Sequence, residues 1–215
     1  MKVLAFNGSP RRGGNTDLLL AEAIRGVKEQ GGDAAIRYLS ALNLRPCMNC
    51  GHCDAAGQCI IKDDMQAIRD EIRSADRTIV ASPIFFFGVS AQTKIMIDRC
   101  QAFWAEKYVH KNPVQPGAYG RKGLLLLVGG MKRSGQNAGF DCSEATVRAF
   151  FRTVNVQEHV TLAYDQIDEK GAITRHATAI AHLYDSTSPK DGATEASQAV
   201  VPRTTARTSN EKTIA

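Results

Sequence analysis

Short β-rich apolar runs separated by longer amphipathic stretches recur along most of this chain, and that alternation leaves few folds open. Repeated βα units of this kind build a parallel sheet covered by helices on both faces. Five strands are legible: Lys2 to Phe6, Ala34 to Leu39, Thr78 to Ser82, Leu124 to Val128 and Gln157 to Ala163. Leu124 to Val128 is the most apolar and reads as central. Helices are predicted over Thr16 to Gln30, from Asp63-Asp64 onward, over Ala91 to Trp104, near Ser143 to Val154 and near Thr174 to Tyr184. Met65, Ile68, Ile72 and Ala75 recur three and four apart in the second helix, and Ile95, Ile97, Cys100, Phe103 and Trp104 are available for burial in the third. Residues 105 to 121 hold Pro113 and Pro116 without periodicity and read as a long surface excursion. The pattern predicts one domain, residues 1 to 185, with a cysteine-rich insertion at 46 to 60. From 186 to 215 the chain offers little to bury and reads as a disordered tail.

Charge excludes some partners. Lys and Arg number 27 against 22 Asp and Glu, and the excess is spread along the 215 residues rather than gathered in a run. That suits a phosphate-bearing small ligand and does not demand nucleic acid. No stretch approaches the roughly 18 apolar residues of a membrane span, and the apolar run in MKVLAFNGSP is too short for a signal peptide. A cytoplasmic protein is expected.

Ligands of open parallel sheets bind beyond the carboxyl ends of the strands. The first such loop is Asn7-Gly8-Ser9-Pro10-Arg11-Arg12-Gly13-Gly14-Asn15-Thr16, which leads into a helix. A helix N-terminus presents unpaired N–H groups and the positive end of its dipole to an anion. Ser9, Arg11, Asn15 and Thr16 have the side chains to complete a phosphate cage. Ser40-Ala41-Leu42-Asn43, after the second strand, offers no acid for an adenosine ribose, so a mononucleotide is the better fit. After the third strand, Ser82-Pro83-Ile84-Phe85-Phe86-Phe87-Gly88-Val89-Ser90 puts aromatic side chains and backbone groups at the same edge, as a flat ring requires. At least one of these phenylalanines is expected in the core or at a dimer contact. Gly129-Gly130-Met131, after the fourth strand, would make a third wall.

Four of the six cysteines, Cys47, Cys50, Cys53 and Cys59, are spaced C-x2-C-x2-C-x5-C. In a reducing compartment such crowding points to metal or redox chemistry rather than disulfides. Three thiols at that spacing can wrap one face of a cubane cluster and a fourth can close it. Structural zinc and metal-free thiols remain open alternatives. His52 lies inside the segment but four thiols satisfy a site without it. Cys100 and Cys142 read as buried core residues, and His110, His159, His176 and His182 as scattered surface residues.

The combination of GSPRRGGNT after strand one, SPIFFFGVSAQTKIMIDR from strand three into its helix and VGG after strand four resembles the NADPH-dependent FMN reductase family. The added cysteines resemble its iron–sulfur flavoprotein branch, and the likeness covers about residues 1 to 184. It implies a flavodoxin-like α/β fold, a doubly wound five-stranded parallel sheet of order 2-1-3-4-5 with helices on both faces. FMN is the implied cofactor. Ser9, Arg11, Asn15 and Thr16 would hold its phosphate, and Pro83, Ile84, Phe85, Phe86, Phe87 and Gly88 would line the ribityl and ring, with Gly129 and Gly130 opposite. Lys94, Asp98 and Arg99 would belong to the structural signature of the following helix. Cys47, Cys50, Cys53 and Cys59 would ligate a [4Fe–4S] cluster that feeds the flavin, and no catalytic acid or base is needed.

The implied activity passes electrons from a donor such as ferredoxin, or from NAD(P)H, to a small acceptor. The alternatives are an NAD(P)H-dependent FMN or quinone reductase with idle cysteines, a non-enzymatic flavodoxin-like carrier, and a zinc-stabilised binding module without flavin. The resemblance also implies a homodimer or homotetramer, with the ring loop and residues 105 to 121 near the contact.

Overall fold

A computed structural model describes residues 1–117, 119–133, 138–176 and 179. In chain order these form β1 (Lys2–Asn7), α1 (Asn15–Glu29), β2 (Asp33–Tyr38), α2 (His52–Ala56), α3 (Met65–Ser74), β3 (Arg77–Phe85) and β4 (Gly88–Val89). Then follow α4 (Ala91–Arg99), α5 (Gln101–Trp104), β5 (Lys122–Val128), α6 (Ala138–Thr153) and β6 (Glu158–Tyr164). The sheet order is β2-β1-β3-β5-β6, all parallel, and the short β4 pairs antiparallel with the end of β3. The five parallel strands therefore stand in the flavodoxin-like order expected, and the sixth strand is an addition.

Period-two alternation sorts the strands between two cores. Leu4, Phe6, Val80, Leu125 and Leu127 face Met65, Ile68, Ile72, Met96, Phe103, Phe150 and Phe151 of α3 to α6. Val3, Ala5, Ile79, Ala81, Leu124 and Leu126 face Leu19, Leu20, Ala23, Ile24 and Val27 of α1. Both faces of β1 and β5 are apolar because both are covered.

Several expectations need correction. Strand β3 runs on through Pro83, whose Cα pairs with Val128, and reaches Phe85 before turning back. Residues 105 to 121 are only partly a surface excursion. Ala105–Val109 continue α5 as a π-helical turn, Val114 is buried, and Arg121 is buried as well. Arg121 has a structural reason to be inside: its guanidinium donates to the carbonyls of Ile72, Ala75 and Val154, at 2.7, 2.7 and 3.1 Å, which close the ends of α3 and α6. In the third helix Met96 is buried whereas Trp104 is exposed. Cys100 is buried as expected, but Cys142 is exposed. The last predicted helix, from Thr174, overlaps a 3-10 turn at Ala172–Arg175. Apart from His176 and Ala179, the rest of that helix and the tail lie outside the described residues.

Candidate functional site

The loop after β1 is built around Gly8. A Cβ there would lie 1.9 Å from Thr93 Oγ1 and 3.1 Å from the Ala81 carbonyl, so the backbone passes where a side chain cannot. Gly8 N donates to Ala81 O at 2.8 Å, and the Ser90 hydroxyl donates to Gly8 O at 2.7 Å. The buried Asn7 accepts from Ser9 N at 2.9 Å and donates through Nδ2 to Asp17, which also accepts from Gly13 N at 2.7 Å. Helix α1 then begins at Asn15 with no side-chain cap, so its first-turn N–H groups face the loop.

Of the four residues expected on an anion, Ser9 and Thr16 are buried in this loop and Arg11 is exposed at its rim. Asn15 has another engagement. Its amide donates to Glu169 O at 2.8 Å and accepts from Ile173 N at 3.3 Å, tying the loop to the 3-10 turn. Arg12 stacks over the Tyr38 ring, 3.3 Å from its centroid. Asn7 and Asp17 are the organisers that sequence reasoning passed over; an Asn ending an apolar strand before Gly-Ser was the available signal.

What reads as an aromatic loop is a two-residue hairpin. Ile84 pairs with Val89 and Phe85 with Gly88, leaving Phe86 and Phe87 as the turn with φ of 46° and 62°. Positive φ at both central positions is the type I′ geometry, which normally takes Asn-Gly. Two phenylalanines there are strained, and strain of this kind gathers at functional sites. Phe85, Phe86 and Phe87 are all exposed, Phe86 completely, so none of them sits in the core of the monomer. Pro83, Ile84 and Gly88 are half-buried at its base. Gly129, beside Ile84, would drive a Cβ to 3.1 Å from Phe140, and Gly130 stands exposed beside Asp168. The three loops meet at the carboxyl edge of adjacent strands β1, β3 and β5.

The cysteine segment hangs from a neck. The buried Arg99, last residue of α4, donates to Arg45 O at 2.7 Å and Ile61 O at 3.3 Å, and forks onto Asp63 at 2.6 and 3.0 Å. Asp63 in turn accepts from Arg45 N at 2.9 Å. Both ends of the excursion are thus pinned to one ion pair whose side chains are fully buried. Burial alone would raise the Asp63 carboxyl, but bonds from Arg99 and from the Arg45 and Met65 amides hold it below the usual carboxylate range.

Beyond the neck, Cys47, Cys50, Cys53 and Cys59 line a single recess with His52, Ile60, Ile61, Arg99, Gln101 and Ala102. Burial pushes the Cys53 thiol up, and the nearby Asp54, Cys59 and Cys47 push it further. Gly51 and Gly57, both left-handed, bound the short helix α2. His110 is exposed, as expected, and reaches the Cys53 carbonyl through Nε2 at 3.4 Å.

Residues 1–166 match the NADPH-dependent FMN reductase family. The chain belongs to that family. An iron–sulfur flavoprotein of Methanocaldococcus jannaschii is 42% identical over 46% of this chain and 51% of its own length. One of Methanosarcina thermophila is 34% identical over 63% of this chain and 67% of its own. The chain therefore aligns with about half to two thirds of the length of these relatives, and this likeness puts it in the iron–sulfur flavoprotein branch of the family. A solved NAD(P)H:quinone oxidoreductase from Methanothermobacter marburgensis shares the fold, with a TM-score of 0.66 at 14% identity over 87% of this chain and 97% of that one.

The residues fit both groups that the family and branch imply. For FMN, the Gly8 approach and the uncapped start of α1 make an anion cradle, and the aromatic hairpin supplies flat apolar surface beside it. For an iron–sulfur cluster, the recess offers four thiols and a buried cation. Among the described residues no group of three or more Cys, His, Asp or Glu is gathered closely enough for a single metal ion. Zinc needs four ligands at about 2.3 Å, whereas a cubane spreads its thiolates around a larger body.

Proposed function

We propose that this chain is an FMN-dependent oxidoreductase whose cysteine recess holds a [4Fe–4S] cluster, and that it delivers electrons to a small acceptor. When bound, the cluster handles single electrons and FMN one or two. The observation that carries this reading is the placement of α4. Its cap, Ser90, hydrogen-bonds the phosphate loop at Gly8, and its last residue, Arg99, lines the cysteine recess. Nine residues at about 1.5 Å each make a strut of roughly 13 Å, short enough for electrons to pass between the groups at its ends.

The chain's own work is placement. Ser9, Arg11, Thr16 and the first-turn amides of α1 hold the phosphate, the 84–88 hairpin walls the ring, and Cys47, Cys50, Cys53 and Cys59 ligate the cluster. A ferredoxin-type carrier is the proposed donor. None of the six cysteines is joined in a disulfide, and no helix among the described residues is long and apolar enough to cross a membrane; a reducing, cytoplasmic setting is part of the proposal.

A second reading is compatible with the same observation: thiols that do not close on a single-ion position need hold no metal at all. It makes the chain an NAD(P)H-dependent FMN or quinone reductase with idle cysteines. The deciding experiment is an anaerobic absorption spectrum of the purified protein with iron, acid-labile sulfide and zinc analysis. Flavin bands with about four irons per chain support the first reading. Flavin without iron, reduced rapidly by NAD(P)H, supports the second, and a colourless protein sinks both.

A further inference from the structure

We propose that Arg99 is a positioning residue that sets the potential of the cysteine site, by donating its Nε–H to the Cys59 sulfur and holding a positive charge against the thiolates. The inference rests on the iron–sulfur reading above. A guanidinium offers five N–H bonds in a rigid fork. Four serve the neck: Nη1 binds Arg45 O and Asp63, and Nη2 binds Ile61 O and Asp63. The fifth, on Nε, is buried with no hydrogen-bond partner. A buried donor left bare is costly, so an orphan in a well-packed site calls for a partner that arrives with function.

The surroundings name that partner. Arg99 is 1% exposed and lines the recess together with all four cysteines. Arg99 already holds the carbonyls of Arg45 and Ile61, which lie two residues from Cys47 and Cys59, and of these two Cys59 is the one whose charge acts on the guanidinium. A thiol is a weak acceptor, whereas a metal-bound thiolate is a charged one, so the bond strengthens when the site is loaded. Reduction adds one electron, and so one negative charge, to the cluster. A donor on a ligating sulfur and a neighbouring cation both favour that added charge. Lysine at this position keeps the charge but has no Nε–H held in the plane of a fork.

The test uses the intact protein with its cluster and flavin, iron and sulfide being counted in every sample. Potentiometric titration followed by EPR should show the cluster potential of Arg99→Lys shifted negative. Asp63→Asn keeps the guanidinium but removes its counter-charge, so its potential should shift positive. Both changes break the same neck. If Arg99 only clamps the loop, both variants shift the same way or lose cluster equally, which overturns the inference. The unmutated protein gives an independent readout: with [15N]arginine incorporated, the reduced cluster should show 15N and exchangeable-proton hyperfine coupling from one arginine. Iron present without that coupling overturns this inference alone, whereas flavin without iron overturns the iron–sulfur reading along with it.

Discussion

At the scale of single residues, two positions bear weight that their type alone does not reveal. Gly8 reads from sequence as one small residue in a flexible loop. In the fold it is the point where the phosphate loop presses on the buried Thr93 and the β3 backbone. Gly8→Ala should therefore cost about 1–3 kcal/mol, the usual penalty for overpacking, and weaken flavin retention. Adding Thr93→Ala removes the nearest obstacle, so the double variant should recover part of both losses in urea denaturation and flavin titration. A single variant as stable as the parent would show that the loop yields. Asn15 has the opposite history: its type suits a phosphate ligand, but its amide is engaged with Glu169 and Ile173. A side chain's inventory of donors is written in the sequence, and the partner that takes them is not.

At the scale of elements, the 84–89 hairpin shows where pattern reading stops. Proline and three aromatics suggest a loop, and only the pairing of Ile84 with Val89 reveals a continued strand. Left-handed backbone at a non-glycine residue costs about 1 kcal/mol or more, so Phe86→Asn with Phe87→Gly should raise stability by about 1–2 kcal/mol. If the aromatics wall the flavin, the same variant should bind FMN at least tenfold more weakly in a fluorescence titration. Unchanged affinity would assign the phenylalanines elsewhere. Helix α4 is better read: its start at Ala91 is the one expected from the sequence, and Ser90 caps it by accepting from Thr93 N. Its second duty, carrying Arg99 to the neck of a segment some forty residues earlier, leaves no local trace.

At the scale of the whole molecule, burial sets the response to pH. Tyr164, at the end of β6, is 4% exposed, and burial raises its pKa to about 12. The unfolded chain ionises this group near pH 10 while the folded chain holds its proton, so the stability contribution is intact below pH 10 and is lost as pH rises toward 12. Urea midpoints measured across that window should fall, and Tyr164→Phe should flatten the fall by up to about 2 kcal/mol. A slope identical in the variant would assign it to other groups. Assembly is a second whole-molecule prediction. Phe85, Phe86, Phe87 and Trp104 are large apolar side chains left exposed on the monomer. We propose that copies of the chain pair over the aromatic hairpin, so light scattering should give a dimer or tetramer; a monomer at high concentration would refute it.

The alternation of apolar strands and amphipathic helices determined the layered fold without help from tertiary structure, because period two and period 3.6 each dictate which face is buried. The sequence likewise shows four thiols within thirteen residues, but a segment of that length could extend to roughly 40 Å, so it was the fold that set them around one recess. Only the folded chain decided what those thiols face. It brought Arg99 and Asp63 together across 36 residues and closed α3 and α6 with Arg121. It also turned three phenylalanines outward. A local pattern records how much a segment must bury, whereas the partner of a buried charge or the direction of a turn is chosen by whichever distant groups the sheet brings alongside.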